Sequence, residues 1–349
     1  MMKVAILGCG GMGQVHAQSY LQIPDVQIVG VCDINMELAN ELGKKTGATA
    51  FPSLEAMLEA VNPDVISVTL PSYLHKEYTI KVAEAGKHVI CEKPIALNLE
   101  DAEAMIHSCE SNGVKLFVGH VVRFFPDYVN MKQAVDSDKL GRIGVVHAKR
   151  ASGHPGNVRD WYNDADLCGG VITDLMIHDI DFVRWTLGEV KSVFAMNRVD
   201  AGMEYALVTL VFDNEAVANL EAHWGYPGPF QTAAEIAGSK GVIRSNSNRT
   251  HSLQVRVPAV AMNNNRFVEV PQSPGFHGPY ELELSHFLDC IRDGRHEPIV
   301  TAQDAYKALE ISTAALESLR TGKVVHFNSK SVELTEQDLL KQTPKEESQ

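Results

Sequence analysis

Short apolar runs alternate with amphipathic stretches through the first third of the chain. Lys3-Val4-Ala5-Ile6-Leu7 opens the series, and Val26 to Cys32, Val65 to Leu70, His88 to Cys91 and Leu116 to Gly119 continue it. Between these runs, Asn35 to Lys45, Ser53 to Ala60, Lys76 to Ala85 and Leu99 to Ser111 have the spacing of helices with one apolar face. Asn35, Ser53 and Asn98 are suited to cap helix N-termini, because a short polar side chain can accept from a free backbone N–H. Gly86 and Gly113 are suited to end helices, where a left-handed residue is needed. Strands alternating with helices in this way predict a parallel sheet covered on both faces.

Past about residue 122 the pattern changes to longer β-rich runs: Ile143 to Arg150, Tyr205 to Phe212, Ala216 to Trp224, Ala233 to Ala237 and Gln254 to Val257. Asp213-Asn214 and Gly238-Ser239-Lys240-Gly241 read as turns, so hairpins in a mostly antiparallel sheet are expected. Helical segments at Tyr280 to Asp293 and Ala302 to Leu319 are expected to close this second domain, with a loose polar tail after them. No internal repeat is present.

The first apolar run enters Gly8-Cys9-Gly10-Gly11-Met12-Gly13, in which Gly8, Gly10 and Gly13 fit G-x-G-x-x-G, and Asp33 follows Gly13 by 20 residues. The first glycine allows a tight turn, the second lets the backbone approach a pyrophosphate, and the third lets helix and strand pack closely. Unpaired N–H groups at the helix start then meet the anion. Asp33, ending the second apolar run, is placed to accept from ribose hydroxyls and to repel a 2′-phosphate. No Arg or Lys follows it immediately, so NAD is expected over NADP. His16 either stands beside the cofactor or is packed in the first turns of the helix.

A length of 349 residues points to two domains. The net charge of −13 argues against a general nucleic-acid or anionic-membrane binder. The six cysteines, Cys9, Cys32, Cys91, Cys109, Cys168 and Cys290, form no C-x-x-C pair, which suggests reduced, buried thiols in a cytoplasmic protein. The opening strand is expected to leave no room for a signal peptide, and no apolar stretch approaches the roughly 20 residues of a membrane span.

Two further clusters bear on chemistry. Cys91-Glu92-Lys93-Pro94 ends a strand, at the edge where open α/β sheets place ligands. Lys93 there either points into the cleft or stands in solvent beside a turn. In Gly169-Gly170-Val171-Ile172-Thr173-Asp174-Leu175-Met176-Ile177-His178-Asp179-Ile180-Asp181, helical spacing gathers Asp174, His178 and Asp181 on one face. A carboxylate beside an imidazole can fix its tautomer and raise its basicity. The plainer alternative is an Asp favouring the helix dipole and a His on a wet face. Despite fourteen histidines, no spacing matches a metal site and none is expected.

In order and placement, the glycine loop, Cys-Glu-Lys-Pro at 91 to 94 and Gly-Gly-x-x-x-Asp-x-x-x-His from Gly169 to His178 resemble the Gfo/Idh/MocA oxidoreductase family. Pro71 and His75 fit its Pro-x-x-x-His segment, while Leu70 stands where a threonine is often found. The resemblance covers nearly the whole chain. It implies an α/β protein with an NAD-binding Rossmann domain, a doubly wound parallel sheet, over residues 1–122. A substrate-binding α/β domain with a large open antiparallel sheet follows over 123–328, then a polar tail over 329–349. Subunits are expected to associate through the second sheet as a homodimer or homotetramer. The inositol and sugar dehydrogenases are the most similar members. The set implied for cofactor contact is Gly8, Gly10, Gly11, Met12, Gly13, Asp33, Pro71, His75, Glu92 and Lys93. For substrate it is Lys93, Arg123, His154, Asn157, Asp174 and His178, with Tyr280, Tyr226 and His286 as weaker candidates.

The expected reaction oxidises a secondary hydroxyl of a cyclic polyol or sugar. His178 takes the proton, aided by Asp174, and Lys93 stabilises the alkoxide, with Lys93 as an alternative base. Two other readings remain open. One is an NAD-retaining lyase or glycosidase that oxidises its sugar transiently, and the other is a sugar- or nucleotide-binding sensor without turnover.

Overall fold

The computed structural model describes residues 1–247, 277–294 and 297–327. The expected strand at Gln254 to Val257 and the tail over 329–349 lie outside them. The first half runs β1 (Met2–Leu7), α1 (Gly11–Tyr20), β2 (Val26–Cys32), α2 (Met36–Thr46), β3 (Thr49–Phe51), α3 (Leu54–Ala60), β4 (Val65–Val68), α4 (His75–Glu84), β5 (His88–Glu92), α5 (Leu99–Ser111) and β6 (Leu116–Gly119). Its strands pair in parallel in the order β3-β2-β1-β4-β5-β6. Asn35, Ser53 and Asn98 cap α2, α3 and α5 through side-chain oxygens that accept from Glu37, Ala56 and Asp101 N–H groups. β3 has no counterpart among the expected runs, because three residues are too few to show a period. The sheet is built outward in both directions from β1, so the loops after β1 and β4 diverge and leave a crevice at their carboxyl ends.

The second half adds α6 (Pro126–Asp136), β7 (Ile143–Ser152), the single turn α7 (Ala165–Cys168), a π-helical segment (Ile172–Met176) continuous with α8 (Ile177–Leu187), and then β8 (Val190–Asp200), β9 (Met203–Phe212), β10 (Val217–Trp224), β11 (Gln231–Gly238) and β12 (Gly241–Asn246). After these come α9 (Pro279–Asp293), α10 (Ala302–Thr321) and β13 (Val325–His326). The sheet order is β12-β11-β7-β10-β9-β8-β13, antiparallel throughout except where β7 meets β10. Both expected turns join hairpins, β9 to β10 and β11 to β12. Ala206, Val208, Leu210 and Phe212 of β9 and Ala218, Leu220, Ala222 and Trp224 of β10 share a core with α8 and α10. The alternate residues Tyr205, Leu207, Thr209 and Val211 occupy the open face, half-buried.

The two last helices do not close the second domain alone, as their position in the chain suggested. Leu284, Phe287 and Leu288 of α9 belong to the core that holds Val4, Ile6, Val31 and Phe117, and Phe287 stacks on Phe117 at 4.8 Å between ring centres. Each such side chain contributes roughly 1.5–3 kcal/mol by leaving water. Along α10, Ala305 and Leu309 pack with Leu116 and Val118, while Ala308, Ile311 and Ala315 pack with the second sheet. The C-terminal helices thus fasten the halves together around the crevice. An amphipathic pattern marks which helix face is apolar, but the sheet that receives it is chosen by topology.

Glu283 lies on the buried face of α9, fully enclosed, and neither carboxylate oxygen has a hydrogen-bond partner among the described residues. Burial, reinforced by the charges of Glu92 and Asp181, pushes its carboxyl well above the usual carboxylate range. A folded-state value above the unfolded one stabilises the fold below the ordinary range, and that contribution is lost as pH rises. Glu283→Gln is therefore expected to match the parent near pH 4.5. At higher pH it should gain stability over the parent by up to about 1.4 kcal/mol per pH unit until the folded value is reached. Denaturant titrations at pH 5 and pH 8 check this, and an equal offset at both would contradict it.

Candidate active site

A cavity of about 480 Å³ occupies the crevice, walled by Gly10, Gly11 and Met12 on one side and by Lys93, Asp174 and His178 on the other. The glycine loop has the form that a dinucleotide requires. Gly8 adopts φ +99°, and a Cβ on Gly13 would lie 1.9 Å from the Gly8 carbonyl oxygen, so neither position accepts a side chain. Gly10 caps α1 with no side-chain hydrogen bond, which leaves the first N–H groups facing the cavity wall. Asp33 ties this loop to the end of β2, since its carboxylate accepts from Cys9 N–H and Asn35 N–H, each at 2.8 Å. Two accepted bonds leave carboxylate lone pairs free for ribose hydroxyls. These residues fit NAD.

Lys93, at the end of β5, reaches 81 residues ahead to Asp174. Its Nζ donates to Asp174 Oδ1 at 2.8 Å and to the Asp174 carbonyl oxygen at 2.7 Å. Asp174 falls in the π-helical segment, where the wide turn displaces regular amide pairing and its carbonyl also serves the lysine. An ammonium has three donors, so one remains for a substrate oxygen. The expected pairing of Asp174 with His178 is corrected here: Asp174 serves Lys93, and His178 Nδ1 is enclosed without a hydrogen-bond partner. Spacing of i and i+4 places two residues on one face, but the nearby cation competes for the carboxylate and wins by charge. Burial, with the charges of Lys93, Arg150 and His120, holds the His178 imidazole well below its ordinary value. The ring is thus neutral at physiological pH and able to accept a proton.

Pro71 and Glu92 also line the cavity. Glu92 is buried and bonded to His16 Nε2 at 2.8 Å, which answers the ambiguity over His16: it supports Glu92 from within the fold. Burial raises the Glu92 carboxyl, but the hydrogen bond and charge of His16 and the charge of Lys93 outweigh it and hold it below the usual range.

His75 lies behind the wall. It is buried, outside the cavity wall, with Nδ1 at 2.8 Å from the Pro94 carbonyl and Nε2 at 2.9 Å from that of Leu70. It positions the two loops that flank the cofactor crevice. Arg123 is likewise set back from the wall. Only 2% exposed, its guanidinium binds both oxygens of Asp181 at 2.6 and 2.8 Å, Ile299 O at 2.7 Å and Asp304 at 3.3 Å. It fastens the turn after β6 to α8 and α10, and Asp181 is consumed in the same cluster. His154 does wall the cavity, and its Nδ1 accepts from Gly156 N–H at 3.0 Å, so the neutral ring presents Nε2–H. Asn157 is exposed on the same loop and absent from the wall. Tyr280 joins the wall, whereas Tyr226 and His286 do not; Tyr226 packs on His223, and His286 accepts from Ile299 N–H.

Sequence reasoning did not single out Arg150, Trp224 or Phe230 for the cavity wall. Arg150 makes a bidentate pair with Asp179, both bonds at 2.9 Å, at the base of the site. Trp161 stacks on Tyr162 at 3.8 Å, and Tyr162 meets Trp224 edge-on, giving the substrate side an aromatic wall. The inward alternation of β10 was the one available signal for Trp224. Among the described residues, no group of three or more His, Cys, Asp or Glu side chains is arranged to hold a metal ion, and no helix is long and apolar enough to cross a membrane.

Two family patterns cover most of the chain: "Oxidoreductase family, NAD-binding Rossmann fold" matches residues 2–120, and "Oxidoreductase family, C-terminal alpha/beta domain" matches 132–327. The chain belongs to the Gfo/Idh/MocA oxidoreductase family. It is 30% identical to scyllo-inositol 2-dehydrogenase (NAD(+)) of Bacillus subtilis, over 94% of this chain and 97% of that one. It is 29% identical to myo-inositol 2-dehydrogenase of Thermotoga maritima, over 93% and 98% respectively. Among solved structures, GenD2 from gentamicin A biosynthesis, in complex with NAD, superposes with a TM-score of 0.83 at 25% identity, covering 94% of this chain and 97% of that one. As a Gfo/Idh/MocA protein the chain has NAD as its cofactor, bound by the Rossmann half.

Proposed function

We propose that this chain is an NAD-dependent dehydrogenase that oxidises a secondary hydroxyl of a cyclic polyol or pyranose of the inositol type. The observation that carries this reading is the convergence of Lys93, Asp174 and His178 on the cavity that the glycine loop also walls. NAD, when bound, accepts the hydride from carbon. The protein's own residues handle the oxygen. His178, kept neutral, takes the hydroxyl proton, and the remaining Lys93 donor holds the alkoxide oxygen as charge develops. Asp174 fixes Lys93 through its carboxylate and its carbonyl. His154 Nε2–H and Arg150 offer donors to the neighbouring hydroxyls, and Trp161, Tyr162 and Trp224 pack against the ring.

Relatives named for scyllo- and myo-inositol support the substrate class. All six cysteines are buried thiols, consistent with a reducing cytoplasm. The half-buried open face of the second sheet suits association with a second copy of the chain. Incubation with NAD and a panel of inositols and hexoses, followed by absorbance of reduced nicotinamide, tests the activity. Net NADH release is expected for at least one inositol. Product formation without release would mean a retained-cofactor lyase or glycosidase, and binding without any chemistry would mean a sensor; either result overturns the proposal.

A further inference from the structure

Arg159 stands on the loop that follows β7, within the half of the chain that carries the substrate wall, yet its guanidinium lies against the glycine loop of the other half. A Cβ added at Gly10 would lie 2.8 Å from its Nη2, 3.2 Å from Nη1 and 3.3 Å from Cζ. Both residues wall the same cavity. Arg159 is half-exposed, and no carboxylate among the described residues pairs with it. That separates it from the two other arginines set around the site, since Arg123 and Arg150 each carry a carboxylate partner, Asp181 and Asp179. α1, which begins beside it, has no acidic residue in its first turn and no side-chain cap at Gly10. A free guanidinium, uncapped N–H groups at a helix start and a glycine kept bare beneath them all favour one kind of guest, an anion with several oxygens.

We propose that Arg159 clamps the diphosphate of NAD from the substrate half of the molecule, closing over the glycine loop so that cofactor binding also docks the loop bearing His154, Trp161 and Tyr162. The loop is compact enough to transmit this. Val158 and Arg159 N–H groups both donate to Pro155 O, at 2.9 and 3.1 Å, Tyr162 N–H donates to Arg159 O at 3.1 Å, and the Asn163 side chain donates to Gly156 O at 3.3 Å. Anchoring Arg159 therefore holds the aromatic wall and the His154 ring in place. The inference rests on NAD as the cofactor and not on the identity of the substrate.

The test is titration calorimetry of the full chain and its Arg159→Ala and Arg159→Lys variants with NAD, ADP-ribose and adenosine. For Arg159→Ala, NAD and ADP-ribose, which carry the diphosphate, are expected to bind about tenfold or more weaker, and adenosine, which lacks it, is expected to bind unchanged. Arg159→Lys should recover part of the loss, because it keeps the charge but not the two-pronged geometry. The salt dependence of NAD binding should flatten in Arg159→Ala. An equal loss for adenosine would place the damage in the fold of the loop and overturn the proposal. Unchanged or tighter NAD binding would do the same, by making the guanidinium a bystander or a plug. So would a loss confined to the calorimetric binding of a phosphorylated sugar, which would assign the arginine to a substrate phosphate. None of these readouts depends on turnover, so failure of the substrate reading leaves the test intact.

Discussion

Lys93→Met is expected to lower kcat by roughly 10³-fold or more while NAD binding survives. The magnitude follows from removing the cation proposed to hold the alkoxide, an interaction made mainly in the transition state. Methionine keeps the length and packing of the side chain, so the loop after β5 keeps its shape. The loss should appear in kcat and kcat/KM together, since a group that acts only as charge develops does not change ground-state binding. Stopped-flow turnover with calorimetric NAD titration measures both quantities. Full turnover by the methionine variant would end the mechanism, whatever the substrate.

The pH dependence of turnover in the parent separates the two candidate bases. Burial, with Lys93, Arg150 and His120 nearby, holds His178 well below its ordinary value of 6.5. If His178 is the base, the acid limb of kcat/KM falls below that value, because activity is lost only when the ring gains its proton.

The second large effect is on stability. Asp181→Ala leaves the Arg123 guanidinium buried without its bidentate partner, which costs about 3–5 kcal/mol. For a chain of this size the unfolding midpoint is expected to drop by roughly 10 °C. The fraction that remains folded should show an unchanged KM, because neither Arg123 nor Asp181 walls the cavity. Asp304 shares the guanidinium. Burial raises its carboxyl, but Arg123, the Thr301 N–H and Arg184 bring it down to about 2. That depressed value adds stability that is present above the ordinary carboxylate range and lost as pH falls toward 2. Thermal melts with parallel Michaelis curves check the prediction. A raised KM with unchanged stability would return Arg123 to the role of substrate contact.

The readings that held and those that failed divide along the range of the interaction involved. Asn35, Ser53 and Asn98 were legible as caps because a cap is settled within three residues of chain. The glycine loop was legible because its steric demands are local: Gly13 is bare on account of Gly8, five positions away. The partners of Arg123 and His75 were not legible for the opposite reason. Each looked functional by its position near a strand end, and each is spent on partners that only folding supplies, Asp181 and Asp304 for one, the Leu70 and Pro94 carbonyls for the other.

The amino-acid order by itself determined an α/β chain with a dinucleotide loop, a second β-rich half, and three separated residues able to handle a hydroxyl, because periodicity, turn sterics and residue chemistry act over a few positions. Only the tertiary structure decided that Asp174 serves Lys93 instead of His178, that α9 and α10 bind the halves together, and that Arg159 crosses to the glycine loop. A charge or an apolar face in the sequence has many potential partners, and the one it takes is set by which distant elements the fold brings within a few ångströms.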